Sequence, residues 1–234
     1  MKIEELISYC VENKKTVCLT GGGGKTTLMY KIADMAAKGS KKTVVSTTTH
    51  IMKPDKYFVS DMDGIRRQWK QGNYAVTGAV DSDNREKLIF PADDMYEEMK
   101  KEADLILLEA DGAKRFPCKV PADYEPVIRT ECDLVIGVLG MTALGKTFTE
   151  GCFRFDTDGR WLSVSGNDLI DEKKAAEILA SDKGTRKGVE NREYIAVLNQ
   201  CDDDALLKRA NRISEILWQN YGIRSVCCSL KGNL

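Results

Sequence analysis

The sequence holds a single histidine, His50, no C-x-x-C pair, and no apolar run near the ~20 residues that a membrane span needs. Each absence removes a class of protein. Without C-x-x-C spacing, the eight cysteines (Cys10, Cys18, Cys118, Cys132, Cys152, Cys201, Cys227 and Cys228) read as reduced, mostly buried thiols, not as a zinc site or a disulfide frame. Cys227 and Cys228 are neighbours on a strand and face opposite sides, so they read as a core residue and a bystander. An excess of either charge is lacking too. The 35 basic residues are scattered and balanced by 36 acidic ones, which argues against a nucleic-acid binder. Met1-Lys2-Ile3-Glu4-Glu5 carries acids where a signal peptide has none, so the expected location is the cytoplasm. The 234 residues suffice for one substantial α/β core, and residues 1–234 read as a single domain.

What is present is organised around TVCLTGGGGKTT at 16–27. Residues 16–20 are a β-branched and apolar run, as a buried parallel strand should be, and Gly21, Gly22, Gly23 and Gly24 then lead into a helical pattern. Strand, glycine loop and helix are the parts of a phosphate cradle. Without Cβ the backbone can turn tightly and bring its N–H groups to phosphate oxygens at the positive end of a helix. Lys25 would supply charge to the β- and γ-phosphates, and the Thr26 hydroxyl a ligand for Mg²⁺, with Thr27 completing the cradle. The competing reading is a glycine-rich turn in an ordinary α/β protein. Leu19 stands where the standard motif has its first glycine, so residues 20–27 instead resemble the deviant Walker A loop of the SIMIBI class of P-loop NTPases. That class often carries a further lysine at the position held here by Thr20, which argues against a mechanism using a lysine across a dimer.

Several segments flank this loop. Ile3, Leu6, Ile7, Cys10 and Val11 predict a short amphipathic helix before the first strand. The helix after the loop buries Leu28, Ile32, Met35 and Ala36 and ends at Gly39, and the next strand, 43–47, runs into Thr48-Thr49-His50. The carboxyl end of a strand is where open α/β sheets place their ligand crevice, so Thr48 is a candidate metal ligand or phosphate sensor. His50 is a candidate base, or a structural hydrogen-bonder. A helix is expected around 65–69, a strand around 74–80, a turn at 81–84 and a helix over 93–101. The apolar strand 104–108 then ends in Glu109-Ala110-Asp111-Gly112. An acid after such a strand, downstream of a P-loop, matches a Walker B element, and the Glu109-x-x-Gly112 spacing matches a γ-phosphate sensor. Asp111 competes with Glu109 for the metal. If both Glu109 and Thr26 serve one Mg²⁺, strands 16–20 and 104–108 should be parallel neighbours.

The loop that follows, AKRFPCKVPADYEPVI at 113–128, is stiffened by prolines 117, 121 and 126. Lys114 and Arg115 could neutralise a transferring phosphoryl group, grip an acidic substrate, or belong to a solvated loop. Together with TGGGGKTT, STTTHI and the later VLNQCD, this segment resembles the YqeC family, accessory proteins of selenium-dependent molybdenum hydroxylases, over most of the chain. The resemblance implies a nucleotide-dependent role in maturing or inserting a labile selenium-containing cofactor, with such a hydroxylase or its cofactor as partner. It does not fix a reaction.

Further along, 134–139 is a buried strand. Gly145-Lys146-Thr147 has the letters of a P-loop but neither a glycine cradle nor an apolar helix, so it is rejected as a phosphate site. Ser165-x-x-Asp168 predicts a capping box opening a helix to Ala180, and 194–198 the next strand. Asn199-Gln200-Cys201-Asp202 departs by one residue from N-K-x-D, in which the asparagine contacts guanine and the aspartate accepts from its N1–H and amine. The alternative is a helix cap at Asp202. After an amphipathic helix closed by Gly222 and a strand at 224–228, Ser229-Leu230-Lys231 stands where a GTPase-like fold puts its base-contact loop. The expectation is a three-layer α/β P-loop NTPase fold, its mostly parallel sheet flanked by helices, binding GTP or ATP with Mg²⁺, as a monomer or homodimer. A small-molecule kinase or ligase and a non-hydrolysing nucleotide switch are the other readings. Lys25→Ala should abolish binding or turnover with little loss of stability.

Overall fold

The computed structural model describes residues 1–231. Seven strands form one parallel sheet: β1 (Thr16–Gly21), β2 (Thr43–Thr47), β3 (Ala75–Val76), β4 (Leu105–Glu109), β5 (Leu134–Gly140), β6 (Glu193–Asn199) and β7 (Arg224–Cys227). Their order is β7-β6-β5-β1-β4-β2-β3, so β1 lies between β5 and the acid-bearing β4 with no strand intervening. Leu19 is opposite Glu109 in the β1–β4 register.

The period of two along each strand sends side chains to two separate cores. Val17, Leu19, Leu105, Leu107, Ile136 and Val138 pack on one face with α1 (Ile3–Asn13) and α2 (Lys25–Lys38). Cys18, Ile106, Leu108, Val135 and Leu139 pack on the other with α3 (Met62–Lys70), α4 (Asp93–Glu102), α5 (Glu172–Ala180) and α6 (Asp204–Tyr221). Being covered on both sides explains why the central strands read as unbroken apolar runs instead of alternating ones. The result is a three-layer α/β fold, a parallel sheet flanked by helices on both faces. Because β2 lies beyond β4 while β5 lies on the far side of β1, the chain reverses direction across the sheet at β1, and the crevice opens at the carboxyl ends of β1 and its neighbours.

Three local expectations are corrected. The stretch 74–80 is two short strands in different sheets, because Gly78 sits against the Ile89 carbonyl where the chain leaves β3 for a three-stranded antiparallel patch of Ile51–Met52, Lys87–Ile89 and Ala79–Val80. The helix expected from Ser165 begins only at Glu172. Asp168 turns back on the Ser165 N–H (2.7 Å), whereas Asp171 accepts from the Lys174 N–H (2.8 Å) and is the true N-cap. The last strand stops at Cys227, one residue short of the expected end, after which the chain turns so that the Leu230 N–H donates to the Asn199 side chain. A two-stranded parallel pair, Cys118–Lys119 with Cys152–Phe153, fixes the loop after β4 over the glycines.

Candidate functional site

The four glycines are held by contacts that no other residue would permit. Gly21, Gly23 and Gly24 have φ of +90°, +81° and +123°, in the region that L side chains rarely adopt. A Cβ on Gly22 would come within 2.6 Å of the Phe116 carbonyl oxygen, and one on Gly24 would strike the Asn199 amide. The loop is therefore packed between the segment after β4 and the end of β6. The Gly23 N–H donates to the Phe116 carbonyl (3.0 Å), and the Asn199 amide donates to the Gly23 carbonyl (2.7 Å). Lys25, Thr26 and Thr27 are the first three residues of α2, so their N–H groups have no carbonyl one turn back to bond. Thr20 sits inward, its hydroxyl donating to the Thr185 carbonyl (2.8 Å), so nothing at this position reaches outward as a second lysine would.

Under the loop lies an alternating chain of buried charges. Lys25 Nζ is 3.2 Å from Asp111 Oδ1 and 3.9 Å from Glu109 Oε1, and donates to the Gly21 carbonyl (2.5 Å). Asp111 Oδ2 accepts from the Gly21 N–H (3.1 Å) and faces Lys119 Nζ at 3.4 Å. Lys119 pairs with Glu125 (2.6 Å), and Glu125 with Arg154 (3.6 Å). Arg154, at the outer end, is partly exposed, and the other members are buried. Burial by itself would lower the pKa of Lys25, but the charges of Asp111 and then Glu109 outweigh it and raise it. Burial raises that of Glu109 in spite of Lys25 and of the hydrogen bond from Thr26.

The two acids thus have different neighbours. Glu109 Oε2 accepts from the Thr26 hydroxyl (2.7 Å), whereas Asp111 is spent on loop backbone and two lysines. The residues present fit a Mg²⁺-nucleotide. Thr26 and Glu109 are adjacent hard oxygen donors, the kind Mg²⁺ takes together with phosphate and water. The glycine cradle is one that side chains would fill.

Other candidates lie elsewhere. The Thr48 hydroxyl donates to the Val127 carbonyl (2.7 Å) and its N–H to the Glu109 carbonyl (3.0 Å), so it braces β2 against β4 and is not turned to the Thr26–Glu109 pair. His50 is exposed and faces Asp81 at 3.6 Å, outside the charge chain. Lys114 and Arg115 are exposed, with φ of +44° and +67°, immediately before Phe116 on the glycines.

At the far side of the loop, a cavity of about 310 Å³ is lined by Gly24 and Thr27 together with Asn199, Gln200, Asp202, Leu230 and Lys231. The Asn199 side chain joins its walls, accepting from the Leu230 N–H (3.0 Å) while donating to Gly23. Asp202 accepts from the Ser229 hydroxyl (2.6 Å) and faces Lys231 at 2.5 Å. Those two contacts, Lys231 first, lower its pKa and keep it an ionised acceptor. The helix cap is its neighbour Asp203, which accepts from the Leu206 N–H (2.7 Å). Gln200, at φ +64°, is tied to the Thr142 hydroxyl (2.5 Å). Lys119, Glu125 and Arg154 were not singled out by the sequence, and their one signal is a lysine inside the otherwise apolar run C-K-V at 118–120.

Comparison with known proteins gives the family. The model of the YqeC protein family matches residues 17–156, from within β1 through the charge chain to Arg154. The chain belongs to the YqeC family. The protein described as uncharacterized protein YqeC of Escherichia coli (strain K12) is 28% identical over 160 residues, 59% of this chain and 57% of its own length. The chain thus spans a little over half the length of that curated relative. A crystal structure of HypB from Helicobacter pylori in complex with nickel aligns over 98% of this chain and 86% of that one, at 13% identity and a TM-score of 0.44.

Within this YqeC chain, Asn199 carries a separable structural load. Asn199→Ala deletes two buried hydrogen bonds and is expected to cost about 2 kcal/mol of stability, read as a lowered urea midpoint with an unchanged slope. An unchanged midpoint would show that the loop is held by its other contacts alone.

Proposed function

We propose that this YqeC-family chain binds a Mg²⁺-nucleoside triphosphate, GTP in preference to ATP, and hydrolyses it. The observation that carries this is the single cavity shared by the glycine loop and the Asn199-Gln200-Cys201-Asp202 and Ser229-Leu230-Lys231 elements. A phosphate cradle alone would suit any phosphorylated ligand. A cavity running from it to an ionised carboxylate suits a base with paired donors. Lys25 and the N–H groups opening α2 would complement phosphate charge, and Thr26 and Glu109 would hold Mg²⁺, which when bound neutralises charge on the β- and γ-phosphates. Asp111 and Lys119 keep Lys25 charged and the loop in place, and Asn199 and Asp202 would meet the base.

Family membership supports an accessory role, which we read as maturation of a selenium-dependent molybdenum hydroxylase or its cofactor. The same reading takes the chain as one cytoplasmic domain, monomer or homodimer. Exposed Lys114 and Arg115 beside the loop favour acceptor-dependent phosphoryl transfer as a second reading. Product release from Mg²⁺-GTP without any acceptor supports the first, and release only with an added acidic substrate the second.

Thr26→Ala tests the metal assignment. The variant should keep Mg²⁺-independent nucleotide binding within about threefold while losing on the order of a hundredfold in Mg²⁺-dependent turnover. Equal turnover by the two proteins at saturating Mg²⁺ would remove Thr26 and Glu109 from the metal site.

A further inference from the structure

We propose a second ligand site, for a small planar aromatic molecule bearing a phosphate or carboxylate, where Arg154 lies over the rings of Phe153 and Tyr124 and Lys114, followed in the chain by Arg115, lies over Phe153 beside the glycine loop.

The first observation is an imbalance of charge. Lys114 and Arg115 have no acidic partner among the described residues, and Lys114 Nζ lies over the Phe153 ring, 5.5 Å from its centroid. Arg154 has only Glu125, at 3.6 Å, and that same carboxylate oxygen is already held by Lys119 at 2.6 Å. Arg154 Nε is buried and makes no hydrogen bond. Of these cations only Arg154 faces an acid, and that acid is itself committed inward, an arrangement that an anion from outside would complete.

The second observation is the aromatic surface. The Arg154 guanidinium lies over both Tyr124 and Phe153, 5.2 Å from each centroid, and Tyr124 is 69% exposed. An exposed ring already carrying a guanidinium offers a stacking face to a planar ligand whose anionic group reaches the cations. The third is backbone conformation. Lys114, Arg115 and Arg154 all have positive φ (+44°, +67° and +63°), which costs free energy for non-glycine residues and is retained here at three neighbouring cations.

The site is distinct from the nucleotide cavity but continuous with its loop, since Phe116, directly after Arg115, accepts the Gly23 N–H. Arg154 is also the outer end of the ion chain that begins at Lys25. The inference does not require that the cavity bind GTP.

Phenyl phosphate, inorganic phosphate and benzyl alcohol, each titrated calorimetrically into the full chain, provide the test. Phenyl phosphate should bind about fivefold more tightly than inorganic phosphate, and benzyl alcohol not measurably. Arg115→Ala and Arg154→Gln should each weaken phenyl phosphate by about tenfold or more, and Tyr124→Ala should abolish its advantage over inorganic phosphate. Arg115 and Tyr124 are exposed, so these two substitutions leave the fold intact whatever Arg154→Gln does. Lys25→Asn combined with Asp111→Asn, which removes the stranded charge together with the cation, and checked for folding by circular dichroism, separates the two sites: it should leave phenyl phosphate affinity within twofold, even if nucleotide binding is lost or was never present. No binding of phenyl phosphate, binding lost in the folded variant carrying Lys25→Asn and Asp111→Asn, or binding unaffected by Arg115→Ala and Tyr124→Ala would each overturn the proposal.

Discussion

Replacing Lys25 by alanine is expected to weaken nucleotide binding by about a hundredfold or more and to lower stability by about 3 kcal/mol. The first effect follows from loss of the cation that complements phosphate. The second follows from where the structure places that cation. An exposed loop lysine would be lost at little cost to the fold, as the sequence suggests. Here Lys25 is 4% exposed, and its removal leaves Glu109 and Asp111 buried with Lys119 as their remaining lysine. A charge without a partner in that environment is strongly destabilising. The two effects can be separated. Adding Asp111→Asn to Lys25→Ala removes one stranded charge, and should restore part of the stability and none of the nucleotide affinity. Urea unfolding and nucleotide titration of parent, single and double variants are the measurements. A single variant as stable as the parent would mean that the acids are already neutral, and one that still binds nucleotide would reduce the glycine loop to a turn.

Asp202→Asn should exchange one base for another. The parent is expected to bind GTP better than ATP, because an ionised carboxylate pairs with the N1–H and amine of guanine, a donor pair that adenine lacks. With asparagine, GTP should weaken by on the order of a hundredfold while xanthosine triphosphate, whose C2 oxygen needs a donor, gains. Two features of the site bear on the size. Gln200 stands where a lysine would otherwise cover the base, and it is tied to Thr142. Lys231 and Ser229 already occupy Asp202, so a base must compete with or rearrange them. The margin of GTP over ATP should therefore be smaller than a full N-K-x-D would give. Competition among GTP, ATP and XTP on both proteins decides it. An unchanged ranking would move base recognition elsewhere in the cavity.

The sheet and its crevice were legible in the sequence where local pattern and tertiary role coincide. Strand 16–20, the glycines and the helix from Lys25 follow from β-branching, the missing Cβ and the 3.6-residue stripe, and the parallel pairing of β1 with β4 from the requirement that Thr26 and Glu109 meet. The joining of the segments near Asn199 and Ser229 was legible only through motif order, and the structure supplies its cause, the bridge from Asn199 to both Gly23 and Leu230. What could not be read depends on contacts distant in sequence. Lys119 looks like one more loop cation until the pairing of Cys118–Lys119 with Cys152–Phe153 draws it beneath the glycines. Thr48 ends a strand at the right edge, yet its hydroxyl is claimed by Val127, a residue of the proline-rich loop. The start of α5 was misplaced because Ser165 with Asp168 and, further on, Asp171 both offer local caps, and packing of Ala175, Ile178 and Leu179 on the sheet goes with the later one.

The most direct measurement is hydrogen–deuterium exchange of the full chain with and without saturating Mg²⁺-GTP. The shared cavity requires slowed exchange both in the glycine loop, 21–27, and in the base-side segments far from it in sequence, 199–202 and 228–231, and Lys25→Ala should abolish both changes. Protection confined to the glycine loop would mean that the ligand is held by its phosphates alone. Protection of neither segment would contradict a nucleotide site in this crevice.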